Sequence, residues 1–331
     1  MSLVKDLYMS DIFERIGEYG IVPLVTVDDP NDAVPLAKAL VAGGIPIAEV
    51  TFRTDAGGEA IKRMAKEVPE IIVGSGTVHD IDHAKETVDN GGKFVITPGF
   101  NAKVVDWCVK NNVPVCPGTV VPSDIEEAMN FGLKVVKFFP AEAYGGIKTL
   151  KALAGPFGAM KFVPTGGVGP ANLAEYLDQP NVAAVGGSFV PPADMVKNKD
   201  WDGITRVCKQ ILDKVYDFSV GHVGINAGTP ENANSVTDKF VELFDTDKRD
   251  AGLSFFSGKL VEVMKNPFVG ANGHICVDTR DLRRALAMLK RKGVEFGQEI
   301  YDDKGKLMTV YLKDEVGGFA LHIRQRPKAA K

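Results

Sequence analysis

The sequence predicts an α/β fold class: a TIM (β/α)8 barrel followed by a smaller α+β domain of two βαβββ modules. Three observations predict it. Short β-branched runs alternate with helical patterns from residue 21 to about residue 215, and there are eight of them. The alternation stops after "DWDGITRVCKQILDKVYDFS". Beyond that break the chain repeats itself, each copy beginning with Gly-His, a short alternating strand and an amphipathic helix.

Taken in order, the strands are "IVPLVTV", "IAEVTFR", "IIVGSGTV", "FVITPGF", "VPVCPGTV", "VVKFFPAE", "KFVPTGGV" and "VAAVGGSFV". Stretches such as "NDAVPLAKALVAGG", "AGGEAIKRMAKEVPE" and "PSDIEEAMNFG" lie between them, apolar at helical spacing with Gly or Pro near their ends. A strand-helix count of eight favours a closed parallel barrel over an open sheet. Many strands end in Gly, Pro, Thr or Ser, as loops that build a site at the C-terminal face require. The two repeats are "GHVGINAGTPENANSVTDKFVELF" and "GHICVDTRDLRRALAMLKRKGVEF", with "LSFFSGKLVEVM" following one and "GKLMTVYL" plus "GFALHIRQ" the other. Domains over residues 1–215 and 216–331 follow.

Composition bounds the function. The 331 residues are 45% hydrophobic and 25% charged, with a net charge of −4 and no basic block. Nucleic acid and membrane surfaces are therefore not expected partners. No run approaches the roughly 18 apolar residues of a membrane span, and "MSLVKDLYMSDIFERIGEYG" reads as an amphipathic helix without a signal-peptide region. Cys108, Cys116, Cys208 and Cys276 are widely spaced and form no CxxC pair. That argues against a disulfide framework or a cysteine zinc site and for a reducing, cytoplasmic setting.

The first chemistry lies in "LKVVKFFPAEAYGG", residues 133–146. Lys137 stands among Val135, Val136, Phe138 and Phe139, where desolvation disfavours an ammonium ion. A neutral lysine is a nucleophile toward carbonyls, whereas a strand-end lysine that snorkels to water is the plainer alternative. Glu49, Thr51 and Arg53 share one face of "IAEVTFR", the inward face of a closed barrel. An internal structural ion pair is the alternative there. Lys137 meeting Glu49 across the barrel would supply an amine beside a carboxylate able to move protons, the minimum for Schiff-base carbon–carbon chemistry. The turns "VPTGGV" and "VGGSFV" add backbone N–H groups with Thr165 and Ser188, where barrels often bind phosphate.

The run "EVTFR", "GSGTV", "ITPGF", "CPGTVVPSDI", "KFFPAEAYGG", "AGPFG", "PTGGV" and "GGSFV" closely resembles the 2-keto-3-deoxy-6-phosphogluconate (KDPG) aldolase family. Some members of that family also act on 2-keto-4-hydroxyglutarate (KHG). The resemblance covers residues from about 10 to 215. It implies a class I aldolase of sugar-acid breakdown, the Entner–Doudoroff pathway, needing no metal or other cofactor, acting on a small 2-keto acid and usually trimeric. Lys137 then matches the Schiff-base lysine and Glu49 the general acid/base. Arg53 and Thr77 match groups holding the pyruvoyl carboxylate, and Pro98 and Phe139 match that pocket's lining. Thr165, Gly166, Gly167 and Ser188 match the phosphate site. Phe189 departs from the family's tryptophan, which bears on phosphate preference rather than on the chemistry.

His222, Glu262, His274 and His322 form the second constellation, with His222 and His274 equivalent in the two repeats. The layout resembles the vicinal oxygen chelate superfamily over residues 219–326, which includes glyoxalase I and extradiol dioxygenases. The resemblance implies a divalent metal on His222, Glu262 and His274, with His322 at a position usually held by glutamate. Zinc, iron, nickel, manganese and cobalt all suit such ligands. His79 and His83 read as solvated residues at a helix start. Two other functions stay open from sequence: a metalloenzyme in the C-terminal domain as the main activity, or that domain as a binding or oligomerisation module.

Overall fold

A computed structural model describes residues 12–327. The chain divides into two compact units between Val215 and Tyr216.

In the first unit a helix over residues 12–19 (α1) precedes a series of parallel strands. They are β1 (Ile21–Val25), β2 (Ile47–Thr51), β3 (Ile72–Gly76), β4 (Val95–Ile96), β5 (Val115–Cys116), β6 (Gly118–Thr119), β7 (Val135–Phe138), β8 (Lys161–Pro164) and β9 (Val185–Gly187). Every residue of β1, β2 and β3 is buried. Helices on the outer side and packed side chains on the inner one leave such strands no wet face, which is why they read as β-branched runs.

Six strands form one curled parallel sheet in the order β5-β4-β3-β2-β1-β9, and β6-β7-β8 form a second. One sequence expectation changes here. The fifth segment, "VPVCPGTV", is two short strands, because Pro117 has no N–H to donate and interrupts the ladder between Cys116 and Gly118. The sheets remain in touch. Gly118 N donates to the Thr97 carbonyl (3.1 Å) and Lys137 N to the Pro117 carbonyl (2.9 Å). Parallel bridges pair Phe162 with Val182 and Thr165 with Gly186.

A second change concerns β2. It ends at Thr51, so Arg53 lies in the turn beyond it and is exposed rather than stacked on the inner face. The last ladder bond there runs from Phe52 N to the Gly76 carbonyl, after which Thr54 Oγ1 turns back to the Val27 carbonyl (2.6 Å).

The second unit is one eight-stranded, mostly-β sheet. Its elements run β10 (Ser219–Asn226), α2 (Pro230–Phe244), β11 (Lys248–Asp250), β12 (Ser254–Ser257), β13 (Val261–Met264), then β14 (Gly273–Thr279), α3 (Leu282–Arg291), β15 (Phe296–Tyr301), β16 (Leu307–Leu312) and β17 (Phe319–Gln325). The strand order is β11-β12-β13-β10-β14-β17-β16-β15, with β10 and β14 antiparallel at the centre. Thr229 and Asp281 cap the two helices through their side-chain oxygens. Helix α3 buries Leu282 and Ala285 against Ile323, with Val277 packed beside them. Val277 and Ile323 alternate with Cys276 and His322 along their strands, so the opposite face is the one that carries the polar cluster.

Among the described residues no helix is long and apolar enough to cross a membrane.

Candidate active site

Strands β2 and β7 each bring one charged side chain to the inside of the parallel sheet. Lys137 Nζ donates to Glu49 Oε1 at 3.1 Å, across 88 residues of sequence. Both are buried, Lys137 at 5% exposure and Glu49 at 1%. The Phe139 ring centroid lies 5.4 Å from the same Nζ. Desolvating two charges costs several kcal/mol each, which a single hydrogen-bonded contact only partly offsets. Such a pair is a poor device for stability and a good one for proton transfer.

Room for the pair comes from Gly76, at the end of the neighbouring β3. A Cβ there would stand 2.3 Å from Glu49 Oε1 and 2.7 Å from its Cγ. The next residue, Thr77, holds φ at +59°, a left-handed conformation that a β-branched residue rarely adopts. Thr77, Pro98 and Phe139 are each half-buried just past the ends of β3, β4 and β7. Arg53, exposed after β2, lines a cavity of about 250 Å³ with Phe52, Thr54, Asp55, His83 and Glu86. These positions fall at one end of the sheet, the carboxyl end of its strands.

The loop after β8 begins with Thr165, buried and bridged to Gly186 of β9. Gly166 and Gly167 follow with φ of +92° and +80°, angles that glycine alone adopts without strain. The α-carbon of Gly166 faces Phe139 and Pro140, so that a Cβ would lie 3.1–3.3 Å from them. Ser188 is exposed after β9, and Phe189 folds back over Gly187. His79 is exposed, and His83 stands on the solvated first turn of a helix, beside its N-cap Asp80.

In the second unit, His222, Glu262 and His274 converge. The His222 Nε2 to His274 Nε2 separation is 3.2 Å, and Glu262 Oε2 lies 3.1 Å from each of those nitrogens. Donor atoms held about 2.0–2.2 Å from one zinc ion lie roughly 3.0–3.5 Å apart, so this triangle has the size of three vertices around a cation. Ser254 Oγ donates to the other Glu262 oxygen at 2.5 Å. Burial would raise the Glu262 carboxyl, but hydrogen bonds from His222, His274 and Ser254 outweigh it and hold the group well below the usual range.

His322 does not join that triangle directly. Its ring centroid is 5.3 Å from His222, 5.2 Å from His274 and 4.7 Å from the Tyr311 ring. Burial first, then the neighbouring imidazoles, push His322 down to about 3, leaving a neutral ring with a lone pair. Its Nδ1 has no hydrogen-bond partner among the described residues, and neither does His274 Nδ1.

Two features of this cluster are absent from the sequence reasoning. A bulge in β10 shifts the pairing between Val220 and His222, so that His222 faces Cys276. In an unbroken strand His222 would share the face of Val220; the extra residue, Gly221, turns it to the face of His274. Gly224 supplies the other: a Cβ there would stand 2.1 Å from the His274 ring. The Gly-x-x-Gly spacing around His222 was the available signal, though it carries no register by itself.

The comparisons with known proteins concern the first unit. A family model described as KDPG and KHG aldolase matches residues 12–207. A 2-dehydro-3-deoxy-phosphogluconate aldolase of Treponema pallidum is 44% identical over 207 residues, 62% of this chain and 99% of that protein. Among solved structures, KDPG aldolase from Legionella pneumophila, with pyruvate captured as a covalent carbinolamine, superposes with a TM-score of 0.59 at 37% identity. It covers 61% of this chain and 97% of its own. The 2-keto-3-deoxy-6-phosphogluconate aldolase of Zymomonas mobilis, with 3-phosphoglycerate, gives 0.58 at 37% identity over 61% and 95%. A family match over residues 12–207, more than half the chain, leaves one assignment: the chain belongs to the KDPG and KHG aldolase family.

Proposed function

We propose that the chain is a Schiff-base, class I aldolase that cleaves 2-keto-3-deoxy-6-phosphogluconate to pyruvate and glyceraldehyde 3-phosphate. The observation that carries this is the buried contact of Lys137 Nζ with Glu49 Oε1 at 3.1 Å. Nζ adds to the C2 ketone, and loss of water gives an iminium ion. Glu49 takes the proton of the C4 hydroxyl as the C3–C4 bond breaks and its electron pair moves into the iminium. Glyceraldehyde 3-phosphate leaves, the pyruvate enamine is protonated at C3, and water releases pyruvate from Lys137.

The remaining roles are assigned on position. Arg53 and Thr77 bind the carboxylate, Pro98 and Phe139 wall the pyruvoyl pocket, and Thr165, Gly166, Gly167 and Ser188 bind phosphate. What supports the last group is two consecutive glycines at positive φ beside a buried hydroxyl. We read the strands of the first unit as a closed (β/α)8 barrel, supported by the parallel bridges of Phe162 with Val182 and Thr165 with Gly186. We read the assembly as a homotrimer on the family resemblance, and a cytoplasmic setting fits four buried cysteines free of disulfides. The acceptor range, KDPG, its galactonate epimer or KHG, is separated by parallel assays of pyruvate release.

Residues 216–331 we read as a vicinal-oxygen-chelate-like domain with a divalent cation on His222, Glu262 and His274. The spacing of their donor atoms supports it, as does the unpartnered Nδ1 of the buried His322. Such an ion, when bound, would act as a Lewis acid toward an oxygen ligand. The chain's own contribution is to fix both imidazoles through Glu262, itself held by Ser254.

The test of the aldolase is reduction with sodium borohydride in the presence of pyruvate. A pyruvate-sized adduct on the peptide carrying Lys137 is expected, and it disappears in Lys137→Met. A folded protein that gives no adduct would refute the Schiff-base mechanism.

A further inference from the structure

The two repeats of the second unit differ at one position in a way that bears on the cation. Gly224 stands two residues after His222, as Cys276 stands two after His274. Gly224 pairs with Glu262 on the adjacent parallel strand, and Cys276 pairs with His322 on its own. Where one repeat carries a glycine and a carboxylate, the other therefore carries a thiol and an imidazole. The glycine is required because the His274 ring lies over it. At the matching place under the other histidine the chain retains a side chain, and that side chain is sulfur.

His222, Cys276 and His322 sit directly opposite one another on three adjacent strands, and one donor atom from each lies within 4.8 Å of the others. All three are buried. His322 brings a nitrogen that nothing among the described residues satisfies. Gly221, the bulge residue, lies close against the sulfur: a Cβ there would stand 2.8 Å from Cys276 Sγ, and as near to Asp278 Cγ and Arg324 Nη2. Cys276 Sγ donates to Asp278 Oδ1 at 3.6 Å, an oxygen that Arg324 Nε also holds at 2.7 Å. His222 thus belongs to two overlapping donor sets, one with Glu262 and His274, the other with Cys276 and His322.

We propose that Cys276 is the thiolate ligand of a cation held with His222 and His322, a nitrogen and sulfur donor set suited to a borderline ion such as Zn2+ or Co2+ rather than a hard one such as Mg2+ or Mn2+. The inference goes beyond the metal reading of His222, Glu262 and His274, with which it shares His222. On binding, the thiol gives up its proton to solvent and the Sγ lone pair forms the new bond to the cation.

Cobalt(II) added to the full-length, metal-stripped protein tests it, because thiolate coordination adds a near-ultraviolet charge-transfer band to the visible d–d bands. Both are expected in the wild type. In Cys276→Ser the near-ultraviolet band is lost while the visible bands persist on the remaining imidazoles and Glu262. Cys276→Gly, which copies the other repeat, gives the same loss and guards against a serine-specific folding defect. Cys108, Cys116 and Cys208 remain in both variants, so the loss reports on Cys276 alone. Visible bands without a charge-transfer band in the wild type overturn the sulfur ligand and leave the histidine–glutamate site standing. No cobalt spectrum at all overturns both.

Discussion

Removing the Glu49 carboxylate has two separable effects. As a proton acceptor it contributes to the step in which the C3–C4 bond breaks, and general acid–base groups are worth about 10²–10⁴-fold. Glu49→Gln is therefore expected to lower kcat by about that factor in a pyruvate-release assay while the pyruvate adduct on Lys137 can still be trapped. As half of a buried pair, its loss strands the Lys137 ammonium in a site with 5% exposure, at a cost of roughly 3–5 kcal/mol. Replacing both partners by apolar residues of similar size removes that penalty. Urea unfolding of Glu49→Leu with Lys137→Met should give a first-unit midpoint at or above that of wild type and above either single variant. A double variant less stable than both singles would show that the pair is retained for stability after all.

Asp217 shows what an element junction does with charge. It follows the last helix of the first unit at φ of +48°, and its carboxylate accepts from Arg326, just past the end of β17, and from Arg280 at 2.8 Å. The hydrogen bond from Arg326, with the charges of both guanidinium groups, lowers the Asp217 carboxyl below its ordinary 3.8 in spite of burial. A carboxylate depressed on folding adds stability above 3.8, and that stability is lost as pH falls through the folded value. The carboxylate is 36% exposed, so solvent screening limits the gain to about 1 kcal/mol or less. Asp217→Asn should thus lower the second-unit urea midpoint near pH 6, and the gap from wild type should close as the pH falls below 3.8. A gap that widens in acid would reverse the assignment. This junction, like the other details of the strands, is only partly written in the sequence. The β-branched runs and the Gly-His repeat mark where strands stand, because burial on both faces or on one selects those residues. The break at Pro117, the end of β2 before Arg53 and the bulge at Gly221 depend on which partner each backbone group meets. Lys137 and Glu49 are conspicuous as charges in apolar strands. Cys276 is not, since an isolated cysteine in a strand looks like any small apolar residue until the register sets it opposite His222 and His322.

At the scale of the whole chain, the two candidate sites are built from residues of different units. Lys137 and Glu49 lie in one, and His222, Glu262, His274 and Cys276 in the other. A cation bound only by the folded second unit stabilises that unit alone, by about 2.7 kcal/mol at a free concentration one hundred times Kd. For a unit of this size the shift in Tm is on the order of 10 °C. Calorimetry of the full chain is expected to resolve two transitions, with zinc raising one and EDTA lowering the same one. Pyruvate should move only the other, because it forms its adduct on Lys137. Aldolase activity should be unchanged by EDTA, since the Schiff base supplies the electron sink that a metal would otherwise provide. If zinc and pyruvate raise the same transition, the units unfold as one body and the separation of the two sites fails. If EDTA removes aldolase activity while the Lys137 adduct still forms, the cation acts after Schiff-base formation, and the metal-free mechanism is wrong at that step.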